Sequence, residues 1–180
     1  MQTDLVRRAQ RGDEEAFAAL VPAAVDRLVA VAYRILRDAA LAEDATQQAL
    51  TIAWRKLPTL RDPERFDAWT YRLVVNACYA ESNRRRSVIP LQLLTDDVVV
   101  VDPSTQSLDR DQLERGFTRL SLAHRTIVVL HVYLGLPFEE IADLLDIPVG
   151  TARSRLHYAI RALRSAIETD DVPAANRGLA

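Results

Sequence analysis

Residues 138–156 have the sequence FEEIADLLDIPVGTARSRL, and this stretch decides the fold of the C-terminal half of the chain. Pro137 lies near the start of a first helix, where its missing N–H costs no hydrogen bond. The apolar stripe of that helix consists of Ile141, Leu144 and Leu145. Asp146 falls in the following turn, where a left-handed backbone is usual and aspartate tolerates it. Pro148 then begins a second helix, so the stretch predicts a helix-turn-helix.

The second helix of this motif has two separate faces. Its apolar stripe, at steps of four, three and four, consists of Ala152, Leu156, Ala159 and Leu163. The neighbouring basic stripe consists of Arg153, His157, Arg161 and Arg164. A lone basic stripe is usually the solvated face of a surface helix. Beside this turn it predicts DNA binding, because the second helix of a helix-turn-helix enters the major groove.

The chemistry of the side chains suggests a role for each of them. Arg153 and Ser154 lie at the start of the helix and have the reach and the donors to contact base edges. The residues that we expect to contact phosphates are Thr151, Arg155 and Arg161. His157 lies on the same stripe and completes the predicted DNA-binding set.

A second polar face is predicted on a long helix over residues 66–86. At steps of four, three, four and three it carries Arg72, Asn76, Tyr79, Asn83 and Arg86. Amides, an aromatic ring and guanidiniums suit an unpaired strand, whose bases stack and expose their hydrogen-bonding edges. The triplet Arg84, Arg85 and Arg86 adds a phosphate anchor. We expect the adjoining apolar stripe to be Trp69, Leu73, Ala77 and Ala80.

The predicted helix over residues 41–57 has a different surface. Its polar side chains are Glu43, Asp44, Gln47, Gln48 and Thr51. An acidic and amide surface is unsuited to DNA and suits a basic or mixed protein surface. Trp54 is either an anchor for that partner or a core residue, since its periodicity fits both.

The other apolar and capping patterns complete an all-helical chain. They predict helices over residues 4–10, 14–20, 22–37, 112–120, 123–133 and 149–167. We expect Thr3 and Asp13 to cap the first two and Pro22 to open the third. The fold class is therefore all-α, with two small helical domains, at residues 1–88 and 112–168. They are joined by a flexible acidic linker at 89–111, in which residues 98–101 could form a strand, and followed by a tail at 169–180.

Composition excludes several classes of protein. The chain has 180 residues and a single cysteine, Cys78, which excludes a disulfide framework and a cysteine-based zinc site. Apolar runs such as residues 28–33 are far shorter than the roughly 20 residues that span a membrane. No export signal precedes them. We therefore expect a cytoplasmic protein with no membrane insertion.

An enzyme fits the sequence poorly. His124 and His131 could share a helix face, but they have no evident third metal ligand. Cys78 follows Ala77 on a predicted helix and is expected to be a small buried residue. No nucleophile–base pair and no phosphate loop is evident. We expect no catalytic residue, no metal and no cofactor.

The motifs together resemble the extracytoplasmic-function group of bacterial sigma factors, in the same order along nearly the whole chain. They are GDEEAF at 12–17, AEDATQQAL at 42–50, FDAW at 66–69, RRR at 84–86 and GTARSRL at 150–156. In this resemblance Gln48 stands where the family more often has an acid, and Ala80 where it has Asp.

The resemblance implies a role for each surface. The surface that consists of Asp44, Gln47, Gln48, Thr51 and Trp54 would dock on the clamp helices of the β′ subunit of core RNA polymerase. The polar face of the helix over 66–86, with the triplet at 84–86, would recognise and melt the −10 element. The second helix of the helix-turn-helix would recognise the −35 element. Contact with the flap of the β subunit and inhibition by an anti-sigma factor are also implied.

The alternative from a different class is a stand-alone helix-turn-helix regulator. Its first half would be a sensor or dimerisation domain, and it would bind DNA tightly without polymerase. The sequence shows no effector-pocket signature, and this alternative leaves the polar face of the helix over 66–86 unexplained.

Overall fold

The computed structural model describes residues 1–88 and 108–170, with side chains described for 1–85 and 113–165. Every regular element in these ranges is helical. The chain divides into two compact units, Met1–Leu94 and Thr95–Ala180. The predicted all-α fold with two small helical domains is confirmed. The strand considered at 98–101 and most of the linker predicted at 89–111 lie outside the described residues. The linker was wrongly extended to 111, because residues 108–111 already belong to a helix of the second unit.

Within residues 1–88 the first unit has four α-helices, and two short 3₁₀ turns, Leu57–Thr59 and Pro63–Arg65, join the third to the fourth. The helices are α1 Gln2–Gln10, α2 Glu14–Leu36, α3 Ala39–Lys56 and α4 Phe66–Val88. The second unit has α5 Leu108–Arg119, α6 Leu122–Val128, a π-helical turn Val129–Tyr133, α7 Phe138–Leu145 and α8 Val149–Asp170.

Helix α2 is the core helix of the first unit. It contacts α1, α3 and α4. Its buried side chains are Ala16, Leu20, Ala24, Leu28, Val31, Ala32 and Ile35. By length and composition alone α2 could also cross a membrane. The short uninterrupted apolar runs of the sequence do not reveal this. The buried face of α2 packs against three other helices, which makes α2 the central helix of this unit.

The expected helix starts are partly confirmed. The carboxylate of Asp13 accepts a hydrogen bond from the Ala16 N–H at 2.9 Å, and this bond lowers the pKa of Asp13. Thr3 was wrongly expected to cap α1, because the helix begins at Gln2 and includes Thr3. Pro22 does not open a helix but lies inside α2. Pro22 is exposed, and continuing the helix keeps Leu20 and Ala24 on either side of it buried, which offsets the hydrogen bond that proline removes.

A bidentate ion pair fixes the start of α4. The two terminal nitrogens of Arg27 on α2 donate to the two carboxylate oxygens of Asp67 at 2.8 and 2.7 Å. The Gln2 side-chain amide on α1 donates to the same carboxylate at 2.8 Å. Three helices therefore meet at Asp67. The contact is partly exposed, but its two parallel hydrogen bonds restrict the relative orientation of the guanidinium and the carboxylate.

The second unit contains the predicted helix-turn-helix, formed by α7 and α8. Asp146 has φ 54° and ψ 51°, the left-handed conformation that its place in the turn requires. The backbone N–H groups of Asp146 and Ile147 both donate to the carbonyl of Ala142, which closes the end of α7. The turn is thus made by the backbone, and aspartate accepts the strain that glycine would avoid.

The helix predicted over 123–133 is confirmed as helical, but its second half is not α-helical. After Val128 it widens into a π-helical turn, in which the Leu134 N–H donates to the carbonyl of Val129, five residues earlier. The next backbone bond runs from Leu136 to the carbonyl of Leu130 at 3.1 Å, and Gly135 with φ 69° lies between them. Each of these hydrogen bonds spans more residues than the four of an α-helical hydrogen bond. The turn is therefore wider than the α-helix that the spacing of apolar residues predicts.

The left-handed turn leads to a stability prediction. We expect Asp146→Gly to unfold at a higher urea concentration than Asp146→Ala, with a difference of about 1 kcal/mol, because only alanine carries the Cβ penalty there. The control is the same pair at Asp143, an exposed residue inside α7. There alanine is expected to be the more stable variant. Equal midpoints for the two Asp146 variants would contradict the role assigned to the turn.

Candidate nucleic-acid interface

Helix α8 separates its two faces as the sequence predicts. The carbonyl of Pro148 accepts hydrogen bonds from the N–H groups of Thr151 and Ala152 at 2.9 and 3.1 Å and so starts the helix. Ala152 and Ala159 are fully buried against the rest of the unit. The exposed side chains of the opposite face are Arg153, Ser154, His157, Arg161 and Arg164. Thr151 and Arg155 are half-buried at its edge.

The first turn of α8 presents the groups that could contact bases. Arg153 keeps 62% of its side chain exposed and donates to a carboxylate oxygen of Glu139 at 3.3 Å. Its guanidinium carbon lies 5.6 Å from the centre of the Phe138 ring. The hydroxyl of Ser154 donates to the carbonyl of Thr151 at 3.0 Å, which leaves its oxygen open as an acceptor.

The neighbours of Arg153 were missed by sequence reasoning. Glu139 and Phe138 lie on α7, where they were assigned only to the start of the first helix. The signal that could have found them is the motif itself, because the beginning of α7 and the beginning of α8 lie side by side in this unit, as the contact between Glu139 and Arg153 shows.

Helix α4 exposes most of its predicted polar face. Arg72, Asn76 and Asn83 are exposed, and Tyr79 is half-buried. Two arginines of the basic triplet have carboxylate partners: Arg84 lies 3.0 Å from Glu81, and Arg85 lies 3.5 Å from Asp38. The side chain of Arg86 is outside the described residues.

The apolar stripe predicted for α4 is partly wrong. Ala77 is buried, but Ala80 is exposed and Trp69 and Leu73 are half-buried. The side chains that are buried instead are Phe66, Thr70, Val74, Val75, Cys78 and Glu81. The buried side is broader than one stripe because α4 packs against both α2 and α3. Glu81 is buried as the partner of Arg84, which an apolar count does not detect.

Helix α3 carries the predicted protein-docking surface. Glu43, Asp44, Gln47 and Thr51 are exposed. Gln48 is half-buried, and among the described residues no donor reaches its buried side-chain oxygen. The ring centre of Trp54 lies 4.9 Å from that of Phe17, while 36% of Trp54 stays exposed. Trp54 therefore both packs on the first unit and remains accessible.

Two of the residues considered for catalysis are either buried or hydrogen-bonded to the backbone. Cys78 is buried, and burial raises the pKa of its thiol to about 12, so the protonated form persists. The Nδ1 atom of His131 lies 2.9 Å from the carbonyl oxygen of Leu136 and donates to it. In the part of the chain that the structure describes, no three His, Cys, Asp or Glu side chains are grouped to hold a metal ion.

Comparison with known proteins places the chain in a family. Sigma-70 region 2 matches residues 20–88, and Sigma-70, region 4 matches residues 110–163. The ECF RNA polymerase sigma factor SigL of Mycobacterium tuberculosis is 36% identical over 166 residues, which cover 87% of this chain and 94% of SigL. The RNA polymerase sigma-H factor of Pseudomonas aeruginosa is 29% identical and covers 91% of this chain.

Solved structures share the fold. The sigma factor RpoE of Bartonella quintana, in complex with the anti-sigma factor NepR, has a TM-score of 0.70 and 24% identity and covers 86% of this chain and 98% of its own. CnrH in complex with the cytosolic domain of CnrY has a TM-score of 0.66 and 24% identity over 94% of this chain and 99% of its own.

A region 2 followed by a region 4, each in its own helical unit, defines a sigma factor, the promoter-specificity subunit of bacterial RNA polymerase. The chain belongs to the extracytoplasmic-function (ECF) sigma factors. It therefore binds core RNA polymerase and promoter DNA and directs transcription initiation. The resemblance found in the sequence is confirmed, and the stand-alone regulator is not favoured.

The burial of Cys78 yields a prediction about its reactivity. We expect a disulfide reagent such as DTNB at pH 8 to label the folded chain far more slowly than the urea-unfolded chain, because the reactive thiolate is suppressed by burial. The control is Ala80→Cys in a Cys78→Ser background, which places the thiol on the exposed side of the same helix. Labelling of Cys78 as fast as that of the control would mean that α4 opens readily.

Proposed function

We propose that the exposed face of α8 reads the −35 element, with Arg153 and Ser154 on base edges. In the same proposal Thr151, Arg155 and Arg161 contact phosphates, and His157 lies between the two groups. The observation that carries the proposal is the separation of faces on α8, where buried Ala152 and Ala159 hold the helix and the opposite side stays accessible. Cations at the start of such a helix reach base edges, and later cations reach the backbone.

The first unit would recognise the −10 element through α4. Arg72, Asn76, Tyr79 and Asn83 offer stacking and hydrogen bonds to unpaired bases, and Arg84, Arg85 and Arg86 supply the phosphate anchor. A surface that binds unstacked bases better than paired ones draws the duplex open by mass action. Weak contacts at two promoter elements then multiply through effective concentration, since both units belong to one chain.

The α3 surface, which consists of Asp44, Gln47, Gln48, Thr51 and Trp54, would dock on the β′ clamp helices of core polymerase. Exposed acidic and amide groups around a partly exposed tryptophan suit a protein partner better than DNA. The second unit would contact the flap of the β subunit.

Regulation by an anti-sigma factor and action in the cytoplasm without catalysis complete the proposal. RpoE and CnrH, which share this fold, were each solved with a partner, and RpoE's partner is named as an anti-sigma factor. A separate protein that covers α3, α4 or α8 would block polymerase or promoter binding. The domain roles follow: residues 1–88 for docking and −10 recognition, and the domain predicted at 112–168, which the helices extend to 108–170, for −35 recognition.

The division of labour along α8 can be tested with two arginine variants. In the holoenzyme, Arg153→Ala is expected to cost about 1–3 kcal/mol on the preferred −35 sequence and to relax base preference at one position. Arg161→Ala is expected to weaken binding to every sequence alike and to lower the slope of log K against log salt by about 1. Titration of −35 duplexes with single base-pair changes measures both, and identical profiles for the two variants would contradict the assignment.

Docking on core polymerase can be tested without disturbing the core of the first unit. Gln47→Arg places a bulky cation on the exposed α3 surface and is expected to weaken binding to core polymerase about tenfold or more. Ala23→Arg, on the exposed side of α2, is the matched control. Co-elution on gel filtration and fluorescence titration give the affinities. Retained binding by Gln47→Arg would exclude this surface from the docking site.

A further inference from the structure

We infer that Glu139 is a positioning residue of the −35 site, which holds Arg153 in the orientation that reads a base edge. The inference rests on the proposed role of Arg153. It adds a specificity-determining residue from α7, the helix that precedes the recognition helix, and it assigns that residue a function other than DNA contact.

The geometry places two groups from consecutive residues of α7 against one guanidinium. A carboxylate oxygen of Glu139 accepts a hydrogen bond from a terminal nitrogen of Arg153 at 3.3 Å. The ring of Phe138 lies under the same guanidinium, 5.6 Å from its central carbon. The carboxylate constrains the direction of the side chain and the ring constrains its plane, so together they limit a long, flexible arginine to few conformers.

The ring that supports Arg153 is itself held in place. His131 stacks on Phe138 with the ring centres 4.4 Å apart and an angle of 20° between the planes. The Nδ1 of His131 donates to the carbonyl of Leu136 at 2.9 Å, which fixes the imidazole. The π-helical turn that carries His131 thus supports the ring on which Arg153 lies.

This arrangement suits recognition of a base edge. A guanidinium has five N–H donors, and Glu139 uses one of them, so two neighbouring donors remain for the O6 and N7 acceptors of a guanine. An arginine that is already ordered loses less conformational freedom on binding. The carboxylate also repels phosphates, which discourages Arg153 from contacting the backbone of any sequence. Both effects raise the ratio of preferred to non-preferred binding.

The ion pair between Arg153 and Glu139 is too exposed to contribute much to the stability of the fold. Arg153 and Glu139 keep 62% and 65% of their side chains exposed, and ion pairs of this kind add little to the stability of a protein. Removing the carboxylate is therefore expected to change base preference and to leave the unfolding midpoint of the second unit unchanged.

The experiment compares Glu139→Gln with Glu140→Gln in the holoenzyme. Both residues are exposed on α7 and both substitutions remove one negative charge, but only Glu139 contacts Arg153. Affinities are measured for the preferred −35 duplex and for its single base-pair variants at fixed salt. We expect Glu139→Gln to lower the ratio of preferred to non-preferred binding about two- to fivefold at one base pair, and Glu140→Gln to leave that ratio unchanged.

Repeating the comparison in an Arg153→Ala background separates the inference from the proposed function. There Glu139→Gln is expected to leave the ratio unchanged, because its target is gone. A ratio lowered equally with and without Arg153 would overturn the inference and indicate direct DNA contact by Glu139. Equal ratios for Glu139→Gln and Glu140→Gln would overturn it as well. If base preference were lost in Arg153→Ala but in neither glutamate variant, the inference would fail and the proposed function would stand. Unchanged preference in Arg153→Ala would overturn both.

Discussion

The constraint on which the structure depends is that α4 and α8 must each bury one side and keep the other accessible. In α8 the buried side combines two small residues, Ala152 and Ala159, with Leu163, so the helix packs closely on its unit while long cations stay outside. In α4 the buried side includes Val74, Val75 and Cys78, and the bidentate pair at Asp67 fixes where the helix starts. Accessible faces on firmly packed helices suit the promoter recognition that we propose, because a loosely held helix would lose part of its binding free energy to ordering.

Carboxylates accompany several of the arginines that we assign to DNA. Glu81 pairs with Arg84, Asp38 with Arg85 and Glu139 with Arg153. Pairing lowers the local positive charge and so weakens attraction to DNA of any sequence. It also ties the cation to a helix and limits its directions. A two-unit protein with a net charge of −2 can then rely on geometry and on tethering to polymerase rather than on net attraction to the backbone.

The sequence predicted most of the helices and the helix-turn-helix because these depend on local signals. Asp13 and Asp146 are examples: a cap and a left-handed turn are determined by a few neighbouring residues. The failures have non-local causes. Pro22 stays inside α2 because the core on both sides of it outweighs one missing hydrogen bond. The buried side of α4 and the pair between Glu139 and Arg153 depend on which helices come together, and periodicity along one helix carries no such information.

One departure from the expected family pattern can be interpreted from its surroundings on α4. Ala80 lies at a position where the resemblance described above implies an aspartate, and it is exposed on α4 one turn from both Asn76 and Arg84. An aspartate there would repel a phosphate and compete for Arg84, which already has Glu81 beside it. Alanine removes that competition and shortens the side chain at the centre of the polar face. In the recognition of the −10 element that we propose, base preference would then depend on the amides of Asn76 and Asn83, because position 80 offers no carboxylate.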